Sequence, residues 1–146
     1  MKKITTYVFL CSLFILSGLT IEAQTEKKPE QLTKETFVKK VWNYVESPKE
    51  FKYLGDKPCI IDFHADWCGW CRKIAPFMEE FANIYDGQIY VYKIDTDKQK
   101  ELQALFQATS LPTILFIPMK GAPTIIKGAQ SKEQFNKYIK QLLLNN

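Results

Sequence analysis

The chain has 146 residues, 46% of them apolar and 25% charged, a globular composition that gives enough sequence for one domain with a core. Its 20 Lys and Arg exceed its 16 Asp and Glu, so the formal net charge is +4 at pH 7. The basic residues are spread along the chain, which argues against a nucleic-acid-binding protein. Four cysteines are present, and two of them are only three positions apart. This number is too small for a disulfide-stapled mini-protein, so we expect the chemistry at the close pair.

The first 23 residues have the pattern of a secretory signal peptide. Two lysines precede an apolar run from Tyr7 to Leu19, and Ala23 can end the segment. We expect residues 1–23 to be removed, together with Cys11, and the mature protein to work in a bacterial periplasm, where disulfides can form. Ile21 is larger than the small residue that such cleavage sites prefer, so an uncleaved segment that anchors the protein to the membrane is the alternative.

A polar segment over residues 24–32 predicts a flexible linker. Folding is expected to begin at Thr33, a suitable helix cap, and to give one domain over residues 33–146. The first helix should end near Pro48. Its buried face is predicted from apolar residues that recur every four positions: Phe37, Val41 and Val45.

The remainder of the domain is predicted to alternate strands and helices. Short β-rich runs predict strands at residues 58–63, 89–94, 113–117 and 124–127. Apolar residues at helical spacing predict further helices around residues 74–85, 102–106 and 131–143. The order α-β-α-β-α-β-β-α implies an α/β fold with one mixed sheet, parallel in its first pair and antiparallel in its last, and helices on both faces.

The close cysteine pair, Cys68 and Cys71, lies where the first central strand is followed by its helix, at the edge where α/β proteins place their chemistry. Cysteines three apart in the first turn of a helix share one face and can form a disulfide. The loop that it closes is too small to restrain the unfolded chain much, so the bond is suited to exchange. Cys68, at the positive end of the helix, is the expected nucleophile, and Cys71 its resolving partner.

A structural disulfide and a metal site are the other interpretations of this pair. Cys59 and His64 would raise the number of possible zinc ligands to four. Extended geometry puts Cys59 about 20 Å or more from Cys68 along the strand and on the opposite face from His64, so we expect no structural zinc site. A transient copper or zinc site at Cys68, Cys71 and His64 stays open without positive support. Cys59 is expected to be a small buried residue, and His64 a packed or surface histidine.

Asp62 interrupts the apolar strand, where burial raises a carboxyl pKa toward neutrality. Its side chain should share a face with Ile60 and His64 and lie near Cys71. A perturbed carboxyl beside a reactive thiol pair favours a proton shuttle. The alternative is a structural aspartate bonded to a neighbour such as Lys93.

The segment from Ile61 to Pro76 resembles the thioredoxin family. It combines the buried aspartate, a tryptophan directly before the first cysteine, and Pro76 five residues after the second. The similarity continues at residues 92–95, 110–113 and 128–131. It implies a thioredoxin fold from about Thr33 to Leu143, with a central mixed sheet of four to five strands and helices on both faces. It also implies a cis peptide at Leu111-Pro112, packed against the cysteines, with a free backbone edge for an extended substrate.

The resemblance implies a monomeric thiol-disulfide oxidoreductase that needs no cofactor and acts on disulfide-containing proteins. The pair Gly69-Trp70 between the cysteines replaces Gly-Pro of cytoplasmic thioredoxins and Gly-His of protein disulfide isomerases, so the direction of electron flow stays open. We favour a reductase that receives electrons from a membrane thiol-disulfide interchange protein. A disulfide oxidase or isomerase and a non-enzymatic client-binding module are the alternatives. The expected substrate-binding residues are Trp67, Gly69, Trp70, Leu111 and Pro112.

Overall fold

The computed structural model describes residues 26–145, so the expected signal peptide lies outside the described residues. Across residues 26–145, no helix is both long enough and apolar enough to cross a membrane. The strands in this part of the chain are β1 Glu30–Gln31, β2 Cys59–His64, β3 Tyr90–Asp95, β4 Thr113–Ile117 and β5 Thr124–Lys127. The helices are α1 Lys34–Lys40, α2 Gly69–Ile84, α3 Lys100–Leu105 and α4 Lys132–Tyr138, which continues as a π-helical stretch over Ile139–Leu144.

The strands form one mixed sheet in the order β1-β3-β2-β4-β5. β1 and β2 both pair with β3 in parallel, whereas β4 is antiparallel to β2 and to β5. The long connection through α2 allows β2 and β3 to run in parallel, and the short turn between β4 and β5 forces the opposite direction. The predicted mixed sheet is confirmed, with β2 at its centre.

Helices cover both faces of the sheet, and β2 contributes alternate residues to the two halves of the core. Cys59, Ile61 and Phe63 pack in a cluster that includes Phe37 of α1 and Leu102 of α3. The opposite face is a second cluster, built from Ile60 together with side chains of α2, α4 and the π-helical stretch: Ile74, Met78, Phe81, Phe135 and Ile139. Because both faces are covered, every residue of β2 before His64 is buried.

The predicted linker over residues 24–32 is wrong at its C-terminal end. Glu30–Gln31 pairs with β3, and the Leu32 N–H donates to the Lys93 carbonyl at 2.9 Å. Leu32 itself is fully buried in the core. A strand of two exposed residues has no hydrophobic periodicity, so its polar composition resembled that of a linker.

The first helix begins as predicted but ends earlier. Thr33 is its N-cap and forms a reciprocal capping box with Thr36. The helix stops at Lys40, and Val45, expected on the buried face, is 65% exposed. After the helix the chain turns so that Trp42 packs in the core instead, with its indole N–H donating to the Glu50 carbonyl at 2.9 Å.

Candidate active site

The two cysteines of the pair are bonded to each other at the start of α2. The Sγ atoms of Cys68 and Cys71 are 2.11 Å apart, and their Cα atoms 5.3 Å. Cys68 is the N-cap residue, and its Sγ accepts a hydrogen bond from the backbone N–H of Cys71 at 3.1 Å. In the reduced protein, this N–H and the dipole of the helix favour negative charge on the Cys68 sulfur.

A turn after β2 places Cys68 at the helix start. The Cys68 N–H donates to the Ala65 carbonyl at 3.1 Å, which closes this turn. Ala65 forms one buried cluster with the two cysteines, and the partly buried Leu111 packs against this cluster. Cys68 and Cys71 are buried to a similar degree, with exposures of 5% and 3%. Residue exposure therefore does not distinguish the two cysteines, whereas the N-cap position of Cys68 does.

The peptide between Leu111 and Pro112 is cis, as the family resemblance implied. It directly precedes β4, and Leu111 contacts the disulfide region. The Pro112 carbonyl accepts a hydrogen bond from the Gly128 N–H at 2.8 Å. Gly128 has a φ of 88°, a left-handed conformation that glycine adopts without strain. The turn after β5 therefore holds the loop that lies against the cysteines.

Asp62 lies in the middle of β2 and is 5% exposed. It lines a pocket of about 390 Å³ whose other lining residues include Cys71, His64 and Lys93. Burial raises the pKa of Asp62 to about 7, and the charge of Lys93 opposes the rise. Its Oδ1 has no hydrogen-bond partner within the described residues. This open acceptor argues against the structural alternative, in which Lys93 would bond it.

His64 is half-buried at the end of β2, and its Nε2 lies 3.4 Å from the Oε1 of Gln31. Burial lowers the pKa of its imidazole, with Asp95 opposing that effect. The ring lines the Asp62 pocket. His64 is thus a neighbour of the buried carboxyl as well as a packed histidine.

The two tryptophans beside Cys68 are exposed and are held in different ways. Trp67 is 69% exposed, and its indole N–H donates to the Oδ2 of Asp97 at 2.8 Å. Trp70 is 61% exposed, and the Nζ of Lys73 lies over its ring, 4.2 Å from the ring centroid.

Neither of these contacts was predicted from the sequence. The i, i+3 spacing of Trp70 and Lys73 on a predicted helix was a signal that could have found the second one. Trp67 and Asp97 are 30 positions apart, and nothing in their local sequence connects them.

Cys59 lies at the start of β2 in the core cluster on the side of α1 and α3, away from the face that carries Asp62. It is fully buried, and burial raises the pKa of its thiol to about 12. The expected small buried residue is confirmed, as is the alternation that separates Cys59 from His64.

Comparison with known proteins gives consistent matches. The family model described as Thioredoxin matches residues 28–141. A thioredoxin of Borreliella burgdorferi is 43% identical over 109 residues, which are 75% of this chain and 92% of that protein. The chloroplastic M-type thioredoxin of Spinacia oleracea is 37% identical over 95 residues, 65% of this chain and 52% of that protein. The crystal structure of chloroplastic thioredoxin z superposes with a TM-score of 0.63 at 27% identity, covering 79% of this chain and 94% of that one.

The central mixed sheet, the disulfide at the start of α2 and the cis-proline beside it define a thiol-disulfide oxidoreductase of the thioredoxin fold. The protein belongs to the thioredoxin family. It is accordingly a protein-disulfide oxidoreductase, and its substrates are disulfide-containing proteins.

Proposed function

We propose that this protein is a thioredoxin-like reductase that reduces disulfides of proteins outside the cytoplasm, with Cys68 as nucleophile, Cys71 as resolving thiol and Asp62 as proton acceptor. The observation that supports this assignment best is the pocket shared by Asp62 and Cys71. It pairs the inner thiol with a carboxyl whose pKa, about 7, suits proton transfer near neutrality.

The reaction begins from the reduced protein. The Cys68 thiolate attacks one sulfur of the substrate disulfide; a mixed disulfide forms and the first substrate thiolate leaves. The Cys71 thiol transfers its proton to the Asp62 carboxylate and attacks the Cys68 sulfur. The second substrate thiolate leaves, and each substrate thiolate takes up a proton. Two electrons have passed to the substrate, and the protein holds the Cys68–Cys71 disulfide.

The substrate is proposed to bind as an extended strand along the backbone at Leu111-Pro112. The packing of Leu111 against the cluster that contains both cysteines supports this placement, because a segment paired there would lie near the reacting sulfurs. Gly69 and the exposed rings of Trp67 and Trp70 complete the proposed substrate-binding surface.

Each turnover leaves a disulfide that must be reduced by two electrons. In a periplasmic location the donor is proposed to be a membrane thiol-disulfide interchange protein, since NADPH-linked thioredoxin reductase is cytoplasmic. The support for this location is the sequence pattern of residues 1–23. The protein is proposed to act as a monomer. Its folded domain is proposed to span residues 33–146, with residues 30–32 as part of the same folded unit.

Insulin-disulfide reduction with dithiothreitol tests the redox proposal. Wild type should accelerate the reaction and Cys68→Ser should not, because the substitution removes the attacking sulfur. Cys59→Ala is the matched control, since Cys59 is buried in the core cluster away from Asp62, and it should retain the activity. Equal rates for wild type and Cys68→Ser would leave the client-binding module as the better explanation.

The reduction potential of the Cys68–Cys71 pair in glutathione buffers decides the direction of electron flow. A value of about −270 mV supports the reductase, and a value of about −120 mV supports an oxidase. Fractionation of a bacterial host tests the location. Recovery in the periplasm with Gln24 at the N-terminus supports signal cleavage, recovery in the membrane supports the uncleaved anchor, and recovery in the cytosol contradicts both.

A further inference from the structure

We propose that Trp70, Arg72 and Lys73 form a cationic docking site beside Cys68 that selects protein substrates with acidic residues next to their disulfide. The inference rests on the proposed reductase function and extends it to the choice of substrate. The site is called the cationic pocket below.

The cationic pocket is a surface depression of about 510 Å³ lined by Gly69, Trp70, Arg72 and Lys73. Gly69 and Trp70 are the two residues between the cysteines. A substrate side chain bound in this pocket would therefore lie close to Cys68. Both charged residues of the lining are cations. Charge complementarity therefore favours a carboxylate as the occupant.

Lys73 is held over an aromatic surface. Its Nζ lies 4.2 Å from the centroid of the Trp70 ring. An ammonium over an indole face is attracted by the ring and keeps N–H donors for a second partner. The ring thus positions the charge, and less side-chain freedom is lost when a carboxylate binds.

Arg72 completes the positive side of the pocket. Its Nη1 donates to the Asp66 carbonyl at 2.7 Å, which positions the guanidinium. A Cβ added to Gly69 would lie 3.8 Å from its Nη2, so the guanidinium extends beside Gly69. Within residues 26–145, neither Arg72 nor Lys73 forms an ion pair with a carboxylate. Two positioned cations are therefore available to a substrate.

The other tryptophan contacts a carboxylate that is paired with a lysine. Trp67 donates its indole N–H to Asp97, and Asp97 also pairs with Lys100 at 3.2 Å. The carboxylate on this side is thus already neutralised within the protein. The contrast means that an acidic substrate residue gains most on the side of Trp70, which orients the substrate across Cys68.

Three peptides with one internal disulfide and the same length test the proposal. The positions that flank one cysteine carry Glu, Gln or Lys. The reduced protein is mixed with each peptide in a single turnover, the reaction is quenched with acid, and the peptide thiols are quantified by chromatography. The readout is the ratio of the second-order rate constants for the Glu and Lys peptides.

Three variants are compared with wild type: Arg72→Gln, Lys73→Gln and the double variant. Lys120→Gln is the matched control, because Lys120 is exposed and follows β4 at the end that pairs with Cys59, away from the active site. The charges of Arg72 and Lys73 also favour a nearby thiolate, so their removal changes all absolute rates. The ratio between two peptides cancels that influence, together with any intrinsic difference between the peptides when variants are compared with wild type.

The Glu/Lys ratio is expected to fall about fivefold in the double variant, to fall less in each single variant, and to stay at the wild-type value in Lys120→Gln. Salt at about 1 M should reduce the wild-type ratio toward that of the double variant. Trp70→Leu should lower the ratio, and Trp70→Phe should restore it, if the ring positions Lys73.

An unchanged ratio in the double variant overturns the cationic pocket, provided that the Gln peptide is reduced. Failure of wild type to reduce the Gln peptide, with the same result for Cys68→Ser, overturns the proposed reductase function instead. The two failures are therefore distinguishable in one experiment.

Discussion

Asp62 and Lys93 are direct partners in the parallel register of β2 and β3, but no ion pair joins these two described residues. The charge of Lys93 acts to lower the pKa of the carboxyl, and burial outweighs it. The result is a carboxyl with a pKa of about 7 in the pocket that also holds Cys71. A fully formed ion pair would keep this group ionised near neutral pH and make it a weaker proton acceptor.

Asp62→Asn should make the folded protein less sensitive to pH. The pKa of Asp62 is 3.8 as a reference and about 7 when folded, so wild type loses stability as the pH rises through this range. Between pH 4 and pH 8 the free energy of unfolding of the variant, relative to wild type, should increase by on the order of 4 kcal/mol. Urea unfolding of wild type and variant, both oxidised, at the two pH values measures this increase. The control variant Glu79→Gln changes an exposed residue on α2 and should show a much smaller pH-dependent difference from wild type.

Lys93→Met should raise the pKa of Asp62 above about 7, because it removes a charge that opposes the effect of burial. The pH at which wild-type stability stops falling should move upward in the variant. The same shift should be visible in the carboxyl carbon resonance of Asp62. Lys120→Met, on the exposed turn after β4, is the control. An unchanged midpoint would show that Lys93 does not act on Asp62.

Cys71→Ser should accumulate mixed disulfides with substrate proteins, since Cys68 can attack while the resolving sulfur is missing. Cys68→Ser should form few of them, because Cys71 lies one turn inside α2 and lacks the N-cap position. Non-reducing electrophoresis after reaction with a disulfide-containing protein compares the two. Equal amounts of adduct would contradict the assignment of Cys68 as nucleophile.

Leu32→Ala should lower the free energy of unfolding by about 2–5 kcal/mol, the usual range for deleting a buried leucine side chain. Leu32 is fully buried, although it follows a segment of polar composition. Val45→Ala should change stability by less than about 0.5 kcal/mol, since that side chain is 65% exposed. Urea unfolding tests both. If Leu32→Ala lowered the free energy of unfolding as little as Val45→Ala, residues 30–32 would be better described as a linker.

The elements that were predictable are those whose own residues carry a local signal, such as a β-rich run or a capping pattern. The apolar run Thr113–Ile117 and the following Thr124–Lys127 form β4 and β5 with the predicted bounds. Ser131 caps α4 by accepting from the Gln134 N–H at 3.2 Å, as the capping pattern indicated. Local hydrophobicity and cap chemistry were sufficient in these places.

The errors have a common physical origin in tertiary packing. The four-residue recurrence extends from Val41 to Val45, but the helix ends because Trp42 turns into the core. β1 exists only because β3 offers it a partner. Neither effect has a local sequence signal, so periodicity alone misplaced both boundaries.

The candidate site also combines residues that the sequence indicates with contacts that it does not. Cys68 and Cys71 are close in sequence, and Asp62 is conspicuous as a charged residue in an apolar strand, so all three could be selected as candidates from the sequence. The contact of Trp67 with Asp97 depends on how β3 and the turn after it are placed beside the disulfide. Such long-range partners need the folded structure.

The central position of β2 has a consequence for how the protein opens. Its backbone is hydrogen-bonded on one side to β3 and on the other to β4. Amide hydrogens in such a strand exchange with solvent mainly through global unfolding, whereas edges and loops open locally. The strand that carries Asp62 is therefore among the slowest parts of the molecule to exchange. A protein substrate can therefore contact the two exposed tryptophans while the backbone that carries the carboxyl stays hydrogen-bonded.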